Sequence, residues 1–371
     1  MARLGSTLAL LARARAASTS HRAPNKVLRA VPAFGPNPGA LTMLEYRPEI
    51  LAAKPALVVV LHGCTQSAEG YARGAGWLEA ADRYGFVLLC PEQVSVNNPN
   101  LCFNWFNPGD IRRGGGEAAS IAQMVAYAAA QHDIDPQRIY VTGLSAGGAM
   151  ANVLLAAYPE TFAGGAIIAG LPYGGASNVQ EAFAAMAHQR DHSDQSLGDR
   201  VRRANGHMGP WPRVSIWHGD NDATVSPRAG DALTRQWVNV HGVDLVTGGA
   251  SDHRQWRNSS GNVVVEHRRI RGMGHGAPLS TREPNSVGVP GPYLLEAGVS
   301  STLEMLKSWG FEPLPSTPTV PIARPQELET DTTVQTAPFP RPAPNWKASR
   351  PGAIDVGDVI NKALRAAGLL K

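Results

Sequence analysis

Two kinds of hydrophobic pattern alternate along the chain. Short, almost wholly apolar runs come first: ALVVVLHG (56–63), FVLLCPE (86–92), RIYVTG (138–143), GGAIIAG (164–170) and RVSIWHG (213–219). Such runs, ended by a turn, predict strands covered on both faces. Between them lie stretches with helical spacing: AGWLEAADRYG (75–85), closed by Gly85, EAASIAQMVAYAAAQH (117–132), and AGGAMANVLLAAYP (146–159), stopped near Pro159. A lead-in segment over about 26–56 contains one more strand, LTMLEYRP (41–48), and NVVVEHRRI (262–270) adds another near the end. Strands alternating with helices predict an α/β domain, with a mostly parallel central sheet and helices on both faces. No internal repeat is present.

Two regions break this rhythm. Leu171 to Pro212 is a long insertion between two strands, with a helical stretch NVQEAFAAMAHQ (178–189) followed by polar residues. A segment of that length inside a compact domain reads as a lid or binding loop. From Pro313 to Pro351 the chain is crowded with proline, a composition suited to an extended linker. It leads to AIDVGDVINKALRAAGLLK, where Val359, Ile360, Ala363, Leu364 and Ala367 share one helical face and Asp355 can cap it. That helix docks either back on the domain or on an apolar partner surface. The expected organisation is a signal or amphipathic segment over 1–25, a catalytic domain over 26–311, a linker over 312–352 and a short helix over 353–371.

Composition narrows the partners more than the fold. Of 371 residues, 43% are apolar and 17% charged, ordinary values for a globular chain, with a formal net charge of +4. The basic residues are scattered, with no basic stripe interleaved with aromatics, so nucleic acid is not an expected partner. No apolar run is long enough to span a membrane. The three cysteines allow one internal disulfide with a thiol left over. Cys90 ends a buried-strand pattern, whereas Cys64 and Cys102 both lie in loops and make the better pair. Such a bridge points to an oxidising compartment. At the N-terminus, Arg3, an apolar stretch from Leu4 to Ala12 and Ala14-Arg15-Ala16 fit a signal peptide, while Arg13 and Arg15 oppose it.

The chemistry gathers around Gly143-Leu144-Ser145-Ala146-Gly147, placed between a buried strand and an Ala/Gly-rich helix. Small residues make many strand-to-helix turns, so the pentapeptide alone says little. In this setting it is the pattern of a nucleophile elbow, which lifts a serine above the carboxyl edge of the sheet at a helix N-terminus. A serine hydroxyl needs a base to take its proton, and in this architecture the partners follow in the order serine, acid, histidine. The strand and turn RVSIWHGDNDATV offer Asp220 and Asp222; Asp222 is preferred because it lies farther into the loop, ahead of an apolar ATV. Among His241, His253, His267 and His275, the first belongs to a helix end, the second to a polar loop and the third to a strand. His275, between glycines in RGMGHGAP, suits a loop tip that carries an imidazole over the serine. An oxyanion hole would take one donor from the Ala146 amide and one from the loop LHGCTQ, at the Cys64 amide. A Cys64–Cys102 bridge would brace that loop and draw Asn104, Trp105 and Phe106 toward the site as a substrate wall; the alternative for these three is core packing. No H-E-x-x-H, paired C-x-x-C or nucleotide-binding glycine loop is present, so neither a metal nor a cofactor is expected.

Together LHGCTQ, CPEQ…NPNLCFNWF, DPQRIYVTGLSAGGAM, GGAIIAGLPYG, HGDNDATV and GMGHGAP resemble the poly(3-hydroxybutyrate) depolymerase-type esterases, a group that takes in feruloyl and acetylxylan esterase-like members. The resemblance spans about residues 30 to 310. It implies an α/β-hydrolase fold with a lid-like insertion and an acyl-enzyme mechanism, with Ser145 as nucleophile, Asp222 as orienting acid and His275 as base. The implied substrates are polyhydroxyalkanoate polymer or oligomer esters, with feruloyl, acetylxylan or short-chain esters as alternatives. It also favours an extracellular or periplasmic protein over a cytoplasmic one. The tail departs from the polymer-degrading pattern, because the proline-rich stretch leads to a short helix in place of a polymer-binding domain. Two further readings are a non-catalytic polymer or granule surface-binding protein and a serine peptidase on the same scaffold.

Overall fold

A computed structural model of the chain describes residues 27–188, 190–244 and 252–315. The expected N-terminal segment over 1–25, the expected helix over 353–371 and all but the first residues of the expected 312–352 linker lie outside the described residues. The strands are β1 (Arg29–Val31), β2 (Thr42–Tyr46), β3 (Leu57–Leu61), β4 (Val87–Glu92), β5 (Ile139–Leu144), β6 (Gly164–Ile168), β7 (Arg213–Gly219), β8 (His253–Arg257), β9 (Val263–Ile270), β10 (Ala277–Leu279) and β11 (Leu294–Glu296). The helices are α1 (Ala68–Gly74), α2 (Trp77–Tyr84), α3 (Pro108–Ile111), α4 (Gly116–Gln131), α5 (Ala146–Ala157), α6 (Val179–Met186), α7 (Asp194–Arg202), α8 (Arg228–His241) and α9 (Ser301–Ser308).

Strands β1 to β9 form one sheet in the order β1-β2-β4-β3-β5-β6-β7-β9-β8. The run β4-β3-β5-β6-β7-β9 is parallel, and antiparallel β1, β2 and β8 lie toward its edges. The unbroken apolar runs follow from burial on both faces. In β3, Leu57, Val59 and Leu61 enter one core with Met124 of α4 and Met150 and Leu154 of α5. Val58 and Val60 enter the other, with Tyr71 of α1, Trp77 of α2 and Leu306 of α9. Each such side chain contributes about 1.5–3 kcal/mol by leaving water, so a polar residue anywhere in β3 is costly. The packed chain reaches Leu314, whose N–H donates to the Arg83 carbonyl.

Gly85 ends α2 in the left-handed region, at φ 64°, which favours glycine. The insertion after β6 carries α6 and α7 and is pinned to α8. Buried Gln236 accepts from the Tyr173 amide at 3.0 Å and donates to the Leu197 carbonyl at 3.0 Å. Arg235 pairs with Asp191 and Asp194. One expectation is corrected: His253 lies on strand β8, not in a polar loop. HRQWR carries no apolar alternation because β8 is an edge strand that pairs on one side with β9 and buries only Trp256 deeply.

Candidate active site

Parallel β5, β7 and β9 deliver three loops to one edge of the sheet. Ser145 follows β5, Asp222 follows β7 and His275 follows β9. Ser145 has φ 58° and ψ −118°, a conformation that costs a non-glycine residue about 1–3 kcal/mol. Its N–H donates to the Ile168 carbonyl and its C=O accepts from Ala149, both at 2.8 Å, so the kink is fixed from both sides. The flanking glycines have a steric cause. A Cβ on Gly147 would meet the Leu61 carbonyl oxygen at 2.3 Å, and one on Gly143 would meet the Gly147 backbone at 2.4 Å. Helix α5 starts directly after Ser145, so its free N–H groups favour negative charge there.

The loop after β3 is held from several sides. Cys64 and Cys102 are joined sulfur to sulfur at 2.06 Å, and buried Cys90 is a free thiol. Thr65 N–H donates to the Asn100 carbonyl at 2.7 Å. His62 is fully buried; its Nε2 accepts from Gln93 N–H at 3.1 Å, so its Nδ1–H donates to the Gly63 carbonyl at 2.8 Å. Burial lowers the affinity of this ring for a second proton. In a trans peptide the C=O and N–H point opposite ways. Fixing the Gly63 oxygen therefore aims the Cys64 N–H away from His62. Among the described residues neither the Cys64 nor the Ala146 amide has a protein acceptor.

Asp222 is enclosed by donors. Its Oδ1 accepts from Thr224 N–H at 2.8 Å and Val225 N–H at 2.9 Å. Its Oδ2 lies 2.7 Å from His275 Nδ1 and 3.3 Å from His218 Nε2. Burial pushes the carboxyl up, but the N–H donors of His218, His275 and Val225 outweigh it and hold the group well below the usual carboxylate range. Because His275 Nδ1 faces this carboxylate, Nδ1 carries a hydrogen, and Nε2 has no protein partner among the described residues. The other aspartate, Asp220, turns away and accepts from Gly272 N–H at 2.6 Å. With Asp220 N–H on the Ile270 carbonyl and Asn221 N–H on the Met273 carbonyl, both at 3.1 Å, it zips the acid loop to the histidine loop.

The remaining candidates fall in different surroundings. Asn104 gives its backbone N–H and its side-chain Nδ2 to Glu117, at 2.8 and 2.9 Å. Trp105 is buried in the core, and Phe106 is half-buried, edge-on to it at 5.6 Å between centroids. His241 Nε2 donates to the Pro212 carbonyl at 3.1 Å, at the end of α8 and away from the loops above, and burial pushes its ring down to about 4. Three residues escaped the sequence reading: His62, His218 and Glu117. His62 and His218 each stand directly before the glycine that ends a buried strand, the one signal that could have singled them out. A cleft lies under the insertion, lined by Glu181, His188, Arg200 and Arg235 among others; Ser145, Asp222 and His275 do not line it. Among the described residues no cluster of His, Cys, Asp or Glu could hold a metal.

This sheet, with its kinked serine and its carboxylate-bound histidine, defines a hydrolase of the α/β type. The family model "Esterase PHB depolymerase" matches residues 42–258, a stretch that contains Ser145 and Asp222 and stops short of His275. The chain is 44% identical over 285 residues to poly(3-hydroxyalkanoate) depolymerase C of Paucimonas lemoignei, covering 75% of this chain and 69% of that one. It is 35% identical over 260 residues to an acetylxylan esterase of Coprinopsis cinerea, covering 67% and 69%. A solved acetyl xylan esterase from Aspergillus awamori superposes with a TM-score of 0.65 at 24% identity, covering 77% of this chain and all of that one, and so shares the fold. The chain belongs to the PHB depolymerase esterase family and is a serine hydrolase of carboxylic esters.

Proposed function

We propose that the chain hydrolyses esters of 3-hydroxyalkanoates, as polymer or as soluble oligomers, through an acyl-enzyme on Ser145. The observation that carries the catalytic part is the 2.7 Å bond between His275 Nδ1 and Asp222, which leaves Nε2 as the base at the sheet edge where Ser145 stands. The 44% identity to a poly(3-hydroxyalkanoate) depolymerase supports the substrate class.

In acylation the Ser145 Oγ–H proton passes to His275 Nε2 as Oγ attacks the ester carbonyl. Asp222 stays ionised and stabilises the imidazolium. The carbonyl oxygen takes the negative charge and accepts from the Cys64 and Ala146 amides, each donor being worth about 3 kcal/mol in the transition state. The C–O bond to the alcohol breaks, and His275 returns the proton to the departing alkoxide. Water, deprotonated by His275, then releases the acid and restores Ser145. Phe106, the more accessible ring of the Trp105–Phe106 pair, offers the substrate an apolar wall, while Asn104 holds that wall to Glu117.

The Cys64–Cys102 bridge supports an oxidising setting, extracellular or periplasmic, with residues 1–25 as the export segment. A panel of 3-hydroxybutyrate oligomers, polymer suspension, acetylated xylan, methyl ferulate and short p-nitrophenyl esters tests the reading on wild type and Ser145→Ala. Cleavage of the 3-hydroxybutyrate substrates by wild type alone is expected. Preference for acetylated xylan or ferulate overturns the substrate, and an active Ser145→Ala overturns the nucleophile.

A further inference from the structure

Behind Asp222 lies a second set of buried polar groups that the steps above do not use. His218, next to the end of β7, is 1% exposed. Its Nε2 stands 3.0 Å from the Val225 carbonyl and 3.3 Å from Asp222 Oδ2. Both are acceptors, so Nε2 carries the hydrogen and Nδ1 offers a lone pair. Among the described residues that Nδ1 is buried with no partner. On the adjacent strand β9, His267 is also 1% exposed. Its Nδ1 accepts from Arg254 Nη2 at 2.9 Å, so the hydrogen sits on Nε2, and this Nε2 is likewise buried without a partner among the described residues. Burial first, and the Arg254 guanidinium next, hold His267 well below the ordinary histidine range.

The two orphan nitrogens face the same small space. A Cβ built on Gly230 of α8 would meet His218 Nδ1 at 3.1 Å and His267 Nε2 at 3.3 Å. One offers a lone pair and the other a hydrogen, so they are complementary across the gap between them. An unpaired buried polar atom costs about 1–3 kcal/mol, so two orphans meeting at one point are a matched pair. Beyond His267 the polar chain continues outward: Arg254 Nη2 lies 3.2 Å from Asp231 Oδ1, and Arg269 Nη2 lies 2.6 Å from Asp231 Oδ2.

We propose that His218 is a positioning residue for the catalytic carboxylate, and that His267, held by Arg254 and Asp231, orients it across the gap beside Gly230. The inference rests on the reading of Asp222 as the triad acid. His218 puts a second imidazole N–H on the oxygen that serves His275. This fixes the carboxylate plane and draws off part of its charge. Without that donor Asp222 binds the His275 imidazolium more strongly, and the base gives up its proton at higher pH. The charged and titratable groups facing this array are Asp222 and His275 from the loops, His218 from β7, His267 and Arg269 from β9, Arg254 from β8 and Asp231 from α8.

The test compares pH profiles of kcat/KM, on a soluble p-nitrophenyl ester, for His218→Gln, His218→Leu and Gly230→Ala. Gln keeps an N–H near the Nε2 position; Leu removes it; Ala at 230 leaves both imidazoles in place and intrudes between them. The expected result for His218→Leu is a roughly tenfold lower kcat, KM unchanged, and an acid limb moved to higher pH, with His218→Gln close to wild type. Gly230→Ala, a favourable change for helix α8 itself, moves the limb the same way by less. A wild-type limb in folded His218→Leu, or equal losses in the Leu and Gln variants, overturns the role of His218. If His218→Leu does not fold, Gly230→Ala decides: a wild-type profile there overturns the link to His267. Asp222→Asn, assayed alongside, separates the two layers, because an active Asp222→Asn removes the underlying triad reading whatever His218 does.

Discussion

Around Ser145 the constraint is written in the backbone. The serine sits at φ 58°, glycines at 143 and 147 leave no room for a Cβ, and the loop after β3 is tied covalently through Cys64. Around Asp222 and His275 the backbone is close-packed too, since a Cβ on Gly219 would meet the Met273 carbonyl oxygen at 2.2 Å, but both residues themselves have negative φ and what this side adds is side-chain charge. Four N–H groups converge on one carboxylate, and a zip of three hydrogen bonds joins its loop to the loop of the histidine. On the proposed roles, the difference follows from what each side does. A nucleophile and an oxyanion hole need atoms at fixed points before any charge exists. An acid–base pair needs a protonation state, which hydrogen bonds set. One side should therefore fail through geometry and the other through electrostatics.

The sharpest way to break the comparison is Asp222→Asn, which keeps shape and removes charge. We expect kcat to fall about 10⁴-fold with the fold intact, since the imidazole loses both its tautomer and its counter-ion. A fall of only tenfold would place the acid side under geometric control as well. On the other side, Gly147→Ala puts a methyl group 2.3 Å from the Leu61 carbonyl oxygen and must displace the elbow or β3. A shift on the order of 1 Å costs about a hundredfold in kcat, and the acid limb of the pH profile should stay where it is. Movement of that limb in Gly147→Ala would show that the two sides are coupled.

Smaller effects test the braces. Cys102→Ser frees the loop that carries the Cys64 amide. Part of one oxyanion donor is lost, about tenfold in kcat, with dithiothreitol producing the same loss in wild type and none in the variant. Equal sensitivity of both proteins to reductant would sink this account. The mildest effect on turnover belongs to Glu117, buried at the start of α4, where burial pushes its carboxyl up to about 8 against the donors Gln93 and Asn104. A folded-state value above the unfolded one means that its contribution to stability is present below about 4.5 and is lost as the pH climbs to 8. Glu117→Gln removes that slope. Melting curves from pH 5 to 8 should show the wild-type melting temperature falling relative to that of the variant; a rise relative to the variant contradicts the sign.

The sheet was readable from sequence because β3, β4, β5 and β6 are buried almost end to end, so their apolar runs carry the signal unaided. The edge strands were not. β1 has three residues, and β8 is held by charge, with Arg254 on Asp231 and His253 on Glu266, so its sequence resembles a loop. At the site, chain order nominates Ser145, an aspartate and His275, because loop order follows strand order. It does not separate Asp220 from Asp222. That distinction lies in which carboxylate meets the imidazole and which one caps Gly272, a matter of two residues' rotation within one turn. His62 acts through Gln93, 31 positions away, Glu117 through Gln93 and Asn104, 24 and 13 away, and His218 through Asp222 and Val225 around the turn after β7, contacts that apolar periodicity does not encode.

The left-handed conformation of Ser145 has an evolutionary side. Glycine would relax that residue by about 1–3 kcal/mol, so the fold on its own terms prefers glycine at 145. On the proposed role of Ser145 as nucleophile, selection for turnover keeps the serine there against the preference of the scaffold. A lineage released from the need to cleave its ester gains robustness by drifting to glycine, and the first trace of lost activity would be a more heat-resistant protein.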